Sequence, residues 1–291
     1  MTKQKAKIEI LQDVQNALGE GPIWDHREQA LYWVDINGKT IHRYQPSSNH
    51  SQTFSFDVAV TVIGLRASGG YVLGTSKGFA TWDPNVGSID FVHDPEADIP
   101  ESRFNDGAVD RQGRFWAGTY AKKITTNLYR LDADHSVHRM EEGLTVCNGI
   151  GWSIDNQTMY FTDTRIRMIY AYDFDSKSGS LKNRRPFVHT PGTEDVPDGL
   201  TIDSEGFVWS TRFGGWKIVR YDPDGKLERE ITLPVKYPTS CTFGGSNYRD
   251  LFITSSRAYV PEGDLNNQPH AGAVLKIETN VIGIQNPYFL G

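Results

Sequence analysis

An internal repeat of 42 to 43 residues runs through most of the chain and constrains its fold more than any other feature. Five segments share one plan: a glycine, a short apolar run, a turn, an aromatic run and a second turn. A sixth, degenerate copy begins at Cys241. A repeat of this length buries its apolar surface only by stacking against neighbouring copies. The five anchor glycines, separated by 43, 43, 42 and 50 residues, are Gly21, Gly64, Gly107, Gly149 and Gly199.

The residues inside each repeat favour short β-strands. Runs rich in aromatic and β-branched residues, such as Leu31–Val34 and Phe207–Ser210, are bounded by turn signals, and helical periodicity is nearly absent. Each copy has the size of a propeller blade, a small antiparallel sheet arranged radially with others around a channel. We therefore predict an all-β protein whose residues 1–291 form a single six-bladed β-propeller. The alternative, a pair of β-sandwiches, does not account for one period through the whole chain.

The two ends of the chain offer a way to close the ring. The strand-like segment "KIEIL" (7–11) precedes the first full repeat, and "GAVLKIE" (272–278) ends the last. We predict that these amino-terminal and carboxy-terminal strands pair in one shared blade. Such pairing removes an exposed sheet edge.

Composition narrows the class of protein and the partners. Hydrophobic residues make up 38% of the chain and aromatic residues 12%, enough for a packed core. The net charge is -6 and the basic residues are scattered, which disfavours a nucleic-acid partner. No run approaches the roughly 18 apolar residues of a membrane span, so no membrane partner is expected. With only two cysteines and no secretory leader, we expect a cytoplasmic protein.

An oxygen-bearing residue precedes four of the five anchor glycines. The five preceding residues are Glu20, Ile63, Asp106, Asn148 and Asp198. Residues at one step of a propeller repeat form a ring around the channel, which favours a site. Asp-Gly and Asn-Gly pairs are also strong turn signals, so inter-blade turns are the alternative. Glu20 is a weak turn residue, however, and hairpin turns such as Asn37-Gly38 carry their own signals.

Convergence of three such side chains would create a metal site. Two carboxylates and one amide oxygen are hard ligands with a charge of -2, suited to one divalent cation. Calcium, magnesium and manganese fit this chemistry best, and zinc also accepts carboxylate. Three protein ligands leave positions open for water or substrate.

Four motifs resemble the SMP-30/gluconolactonase/luciferin-regenerating family, also called regucalcin-like proteins. They are "LGEGPIWD", "SRFNDGAVDRQGRFWAGT", "CNGIGWSIDNQTMYFTD" and "PDGLTIDSEGFVWST", and the similarity spans essentially the whole chain in order and spacing. The resemblance implies a six-bladed propeller with one divalent metal in the channel. It also implies hydrolysis of sugar lactones or related esters.

The matching motif positions imply individual roles. Glu20, Asn148 and Asp198 would bind the metal, and Arg103 and Asn105 would hold the substrate. Asp198 is also the candidate catalytic residue, as general base or as acid to the departing ring oxygen. Asp106 is expected to support the binding residues from behind or to shape its loop, rather than to bind directly.

The chain departs from the family at "GTYAKK". Some members have an acidic pair here, the second residue of which contacts substrate, whereas this chain has Lys122 and Lys123. We therefore predict Tyr120 and Lys123 as further substrate contacts, with altered substrate preference. Adjacent lysines at a solvated loop tip are the alternative.

The predicted function is thus metal-dependent opening of a sugar lactone by a monomer or weak dimer. No G-x-S-x-G motif points to a serine hydrolase instead. Two alternatives remain: an esterase or phosphotriesterase of the same architecture, and a non-enzymatic propeller scaffold with a structural metal. A scaffold has no need of Glu20, Asn148 and Asp198 beside Arg103.

Overall fold

A computed structural model describes residues 7–122 and 125–291. Within these ranges the chain forms 25 β-strands and one short 3₁₀-helix, Glu262–Asn267, and no described helix is long and apolar enough to cross a membrane. The strands of the first half are β1 (Ile8–Gln12), β2 (Gly19–Asp25), β3 (Ala30–Asp35), β4 (Thr40–Gln45), β5 (His50–Ser55), β6 (Val60–Arg66), β7 (Tyr71–Thr75), β8 (Gly78–Trp82), β9 (Ile89–His93), β10 (Arg103–Val109), β11 (Phe115–Tyr120), β12 (Thr126–Leu131) and β13 (Val137–Leu144). Those of the second half are β14 (Cys147–Trp152), β15 (Thr158–Asp163), β16 (Met168–Phe174), β17 (Leu181–His189), β18 (Val196–Ile202), β19 (Val208–Phe213), β20 (Lys217–Tyr221), β21 (Leu227–Thr232), β22 (Pro238–Gly244), β23 (Asp250–Ser255), β24 (Val274–Glu278) and β25 (Tyr288–Phe289).

The strands of the described chain pair into six sheets, here called blades 1 to 6. Blades 1 to 5 each take four consecutive strands, β2–β5, β6–β9, β10–β13, β14–β17 and β18–β21. Blade 6 has the order β22, β23, β24, β1, so the amino-terminal strand completes the blade begun near the carboxyl end. Ile8 lies opposite Ile277 and Ile10 opposite Leu275. The predicted six-bladed propeller and its ring closure are both confirmed.

The first strand of each blade lines the centre of the ring. Each of β2, β6, β10, β14, β18 and β22 contacts the first strands of the two neighbouring blades, and the series returns from β22 to β2. The aromatic and aliphatic side chains fill the spaces between blades. Each of the six apolar clusters found among the described residues combines side chains from two neighbouring blades. Every blade is therefore held on both faces, as the repeat predicts.

A buried aspartate ties together the turn and the strands of blade 5. One carboxylate oxygen of Asp203 accepts hydrogen bonds from the backbone N–H groups of Glu205 and Phe207. The other accepts from Trp209 Nε1 and Arg220 Nε, each at 2.8 Å. Asp203 is fully buried and Arg220 nearly so. The carboxylate thus fixes a turn, an indole and a guanidinium at once.

We expect Asp203→Ala to lower the free energy of unfolding by about 3–5 kcal/mol, because the substitution leaves the buried Arg220 without its enclosed partner. Urea unfolding followed by tryptophan fluorescence measures this loss. Glu205→Ala is the matched control, since Glu205 bonds the same arginine at 2.6 Å from an exposed position. It should cost at most about 1 kcal/mol. Equal losses in the two variants would contradict the role given to Asp203.

The last thirteen residues, 279–291, cross the end of the channel remote from the starts of the first strands. Ser204 N–H donates to Ile282 O at 2.8 Å, which attaches the segment to blade 5. It then reaches blade 2, where β25 pairs in parallel with β6. Asn286 lines a channel cavity of about 90 Å³, and Phe289 is completely buried among residues of blades 2 and 3. The segment therefore links blades that are far apart in sequence.

We expect Phe289→Ala to destabilise the protein by about 3–5 kcal/mol, through lost burial and the cavity that remains. The neighbouring Leu290 is 61% exposed, so Leu290→Ala is the control and should change stability by about 0.5 kcal/mol or less. Chemical denaturation of both variants provides the comparison. A Phe289→Ala protein as stable as wild type would show that this segment does not hold the blades.

Candidate metal and substrate site

The polar-glycine pairs lie inside strands, not in turns. Glu20, Asp106, Asn148 and Asp198 belong to β2, β10, β14 and β18 respectively. The turn interpretation is therefore wrong for all four. The glycines serve close approach instead: a Cβ on Gly149 would lie 2.4 Å from Leu200 N, in the first strand of the next blade.

Six oxygen-bearing residues, one from each first strand, lie at the register shift of their blade. In blades 2 to 6 the residue directly follows the last pair before the shift: Val60 with Thr75, Phe104 with Thr119, Cys147 with Asp163, Pro197 with Arg212 and Pro238 with Ser255. In blade 1, Glu20 is itself the last paired residue before the shift, opposite Val34. Such bulges redirect side chains. The six residues form a ring of side chains: Glu20, Thr61, Asn105, Asn148, Asp198 and Thr239.

This register corrects the alignment of two repeats. Asn105, rather than Asp106, is equivalent to Asn148 and Asp198, and Thr61 takes the place assigned to Ile63. Counting back from the anchor glycine fails because the third repeat has one more residue between this position and its glycine. A strand bulge is invisible in such a count.

The two threonines of the ring use their hydroxyl groups on the backbone. Thr61 Oγ1 donates to Gly74 O at 3.2 Å, and Thr239 Oγ1 donates to Gly19 O at 2.5 Å. The other four members supply two carboxylates and two amides. The donor set is therefore concentrated on blades 1, 3, 4 and 5.

A directional series of hydrogen bonds connects the amides to an arginine. Arg103 Nη1 donates to Asn105 Oδ1, and Asn105 Nδ2 donates to Asn148 Oδ1, both at 2.8 Å. Asn148 Nδ2 donates to Thr164 Oγ1 at 2.7 Å, and that hydroxyl donates to Pro197 O at 2.9 Å. Each amide accepts a hydrogen bond at its oxygen and donates one from its nitrogen. These bonds fix the orientation of the Asn148 carbonyl oxygen. The series spans blades 3, 4 and 5.

The carboxylates lie in an unfavourable electrostatic environment. Burial raises the pKa of Glu20 well above its usual value, and the charges of Asp198 and Asp106 add to the effect. Burial also raises the pKa of Asp198, with Asp106 contributing, and raises that of Asp106 to about 6. Arg103 opposes the shift of Glu20. The charge of Asp106 thus disfavours ionisation of both Glu20 and Asp198, and Arg103 is the cation that favours ionisation of Glu20.

These residues fit a bound divalent cation. Asp198 Oδ1 is buried and has no hydrogen-bond partner among the described residues, so it is available as a ligand. A cation would relieve the repulsion between Glu20 and Asp198. No three His, Cys, Asp or Glu side chains gather as a ligand set in residues 7–122 and 125–291, and the amide of Asn148 would have to complete this one.

The predicted substrate contacts are partly brought to this site. The Arg103 guanidinium lies over the ring of Tyr120, 4.9 Å from its centre, and Arg103 pairs with Tyr120 across β10 and β11. Burial lowers the pKa of Arg103. Lys122 is exposed. Lys123 lies outside the described residues.

Sequence reasoning missed two kinds of residue. No sequence signal marks Thr164 within "FTDTR". Its hydroxyl nevertheless orients Asn148 by accepting a hydrogen bond from Asn148 Nδ2. No sequence signal marks Tyr259 either. It follows Arg257 and Ala258, whose backbone N–H groups donate to Asn16 O and Ala17 O in the segment that leads to Glu20. Burial raises the pKa of Tyr259, and the charge of Tyr120 adds to the effect.

A six-bladed β-propeller with carboxylate and amide oxygens in one layer of its channel is the class of protein that this geometry defines. The family model of the SMP-30/Gluconolactonase/LRE-like region matches residues 18–257. Regucalcin from Xenopus laevis is 35% identical, with 98% of this chain and 99% of that protein covered. The chain belongs to the SMP-30/gluconolactonase/LRE-like family.

Two further relatives extend the comparison. The 6-deoxy-6-sulfogluconolactonase from Pseudomonas putida is 36% identical over 95% of this chain and 96% of its own. The solved structure of a luciferin-regenerating enzyme has a TM-score of 0.89 at 31% identity, covering 97% of this chain and 99% of that one. The likeness includes the whole ring of blades.

We expect divalent cations to raise the melting temperature of the chelator-treated protein, because a ligand that binds only the native state stabilises it by about 2.7 kcal/mol at a hundredfold excess over its Kd. Calcium, magnesium, manganese and zinc are added singly. The rise should be smaller at pH 5 than at pH 8, since the raised pKa values of Glu20 and Asp198 let protons compete with the cation.

Asp198→Asn should abolish this rise, whereas the control Asp173→Asn should retain it, because Asp173 is a half-exposed partner of Arg185 on β16, the third strand of blade 4. An undiminished rise in Asp198→Asn would exclude Asp198 as a ligand.

Proposed function

We propose that the protein hydrolyses sugar lactones at the mouth of its channel, with one divalent cation as cofactor. The observation that carries this proposal is the hydrogen-bonded series from Arg103 through Asn105 to Asn148, which sets a guanidinium and two amides beside the carboxylates of Glu20 and Asp198. Membership of the family and the 36% identical sulfogluconolactonase support a lactone as substrate.

Glu20, Asn148 and Asp198 would hold the cation. When bound, it supplies Lewis-acid polarisation of the lactone carbonyl. Their oxygens suit calcium, magnesium and manganese best, and zinc is also compatible with this set.

The protein's own side chains position the substrate. Arg103 has donors beyond those used on Asn105 and Phe104, so it can hold the carbonyl oxygen or a hydroxyl group and stabilise negative charge that develops there. Asn105 is fixed by two neighbours, which makes its contact with a sugar hydroxyl geometrically selective. Tyr120 and Lys123 are proposed to contact more distant groups of the substrate.

Asp198 is proposed to move the proton. As the water oxygen bonds to the carbonyl carbon, Asp198 accepts the water proton. As the bond from that carbon to the ring oxygen breaks, the proton passes to the departing oxygen, and the product is the open-chain hydroxy acid. Burial raises the pKa of Asp198 in the cation-free protein, and a bound cation would offset part of that shift because it stabilises the charged carboxylate.

The test is release of acid from glucono-1,5-lactone, with the uncatalysed rate subtracted. We expect activity to vanish in chelator and to return with a divalent cation, and Asp198→Asn to lower kcat by about 100-fold or more. The control Asp173→Asn should keep full activity. Circular dichroism shows that each variant is folded. Undiminished hydrolysis by folded Asp198→Asn would overturn the role of Asp198, and no hydrolysis of any aldonolactone by the metal-loaded protein would overturn the function.

A further inference from the structure

Three aromatic rings form a cluster at the channel mouth that the roles above leave unused. The ring centres of Phe213 and Tyr237 are 4.8 Å apart, those of Phe213 and Tyr259 are 4.9 Å apart, and those of Tyr237 and Tyr259 are 6.0 Å apart. Phe213 and Tyr237 are partly buried, whereas Tyr259 is 54% exposed. The cluster therefore presents aromatic surface to solvent while its base is packed.

The strand register places this aromatic cluster at the same end of the ring as the carboxylates. Phe213 lies opposite Val196, two residues before Asp198. Tyr237 immediately precedes β22, the first strand of blade 6. Both rings thus stand at the starts of first strands, where the site residues also lie.

Tyr259 is held in place by the segment that leads to Glu20. It belongs to the connection between β23 and β24, and the two residues before it bond to that segment: Arg257 N–H donates to Asn16 O at 3.1 Å and Ala258 N–H to Ala17 O at 3.0 Å. The connection from blade 6 is therefore anchored to the segment that enters blade 1. A ring fixed in this way is prepared for a ligand without further ordering.

The opposite side of the mouth carries the Arg103–Tyr120 pair. Blade 3, which supplies this pair, lies across the six-fold ring from blade 6, which supplies Tyr237 and Tyr259. Arg103 is the first residue of β10, so it stands at the same end of the ring as Tyr237, which directly precedes β22. A substrate held by Arg103 would extend toward Tyr259.

The chemistry of the aromatic cluster fits a second sugar ring. Phenyl and phenol faces pack against the C–H face of a pyranose, and tyrosine hydroxyl groups at the ring edges can bond to sugar hydroxyls. Lys236 Nζ lies 5.4 Å above the Tyr237 ring and adds a donor at the rim. A purely apolar substituent would leave these polar groups unpaired.

We propose that the cluster of Phe213, Tyr237 and Tyr259 is a subsite for the glycosyl group of a glycosylated aldonolactone, so that the preferred substrate is larger than one sugar. This inference rests on the proposed lactone hydrolysis for the reacting ring. The proposed subsite binds only the glycosyl group that is attached to the lactone ring.

The test compares kcat/KM for glucono-1,5-lactone with that for its 4-O-glucosyl derivative, cellobiono-1,5-lactone. Wild type should favour the disaccharide lactone by about three- to tenfold, the size of one good aromatic contact. Tyr259→Ala should bring this ratio close to one, and Tyr259→Phe should keep most of it. Phe91→Ala, an equally exposed aromatic on the outer strand β9, is the control and should leave the ratio unchanged.

A binding measurement separates this subsite from the proposed reaction. Calorimetry compares binding of the two products, cellobionate and gluconate, and needs no turnover. Wild type should bind cellobionate more tightly than gluconate, and Tyr259→Ala should not. Preferential cellobionate binding without lactone hydrolysis would retain the subsite and remove the proposed function. Hydrolysis of both lactones with equal kcat/KM and equal product affinities, or an equal loss on both lactones in Tyr259→Ala, would overturn the subsite.

Discussion

Packing of six first strands around one channel is the constraint on which the rest of this structure depends. Each strand contacts both neighbours, and the contact between β22 and β2 closes the circle. Apolar clusters between blades supply the stabilisation, and the pairing of β1 with β24 keeps the last blade from exposing an edge. The carboxy-terminal segment adds a second link across the far end of the channel. A ring held in this way is rigid, which suits a site assembled from distant parts of the sequence.

The same packing creates the chemistry of the channel. A register shift near the start of each first strand presents one oxygen-bearing residue per blade to the channel. Four of these residues are carboxylates or amides, and hydrogen bonds orient the two amides. Closure brings Glu20 and Asp198 close enough to raise the pKa of Glu20, although these residues are 178 positions apart. The amides avoid such conflict because Asn105 donates to Asn148 in the next blade and Asn148 donates to Thr164 within its own blade. The protein therefore concentrates negative charge where a cation would be most strongly favoured.

First strands and connections contribute different groups to the proposed site. Groups proposed to act on the reacting ring lie on first strands, whose positions are set by both neighbouring blades. Groups proposed to contact the remainder of the substrate, Tyr120 and Tyr259, lie at a strand end and in a long connection. Connections tolerate substitution better than packed strands do.

The sequence alone determined the number of blades, the all-β class and the pairing of the chain ends, because strand patterns and repeat length are local properties. Motif resemblance also selected Glu20, Asn148 and Asp198, which all lie at the register shifts of their first strands. Only the tertiary structure decided that Asn105 rather than Asp106 is equivalent to Asn148 and Asp198, since the register shows where the third repeat has its additional residue. The orienting role of Thr164 and the position of Tyr259 at the mouth likewise arise from contacts between blades, and such contacts leave no periodic trace in the sequence.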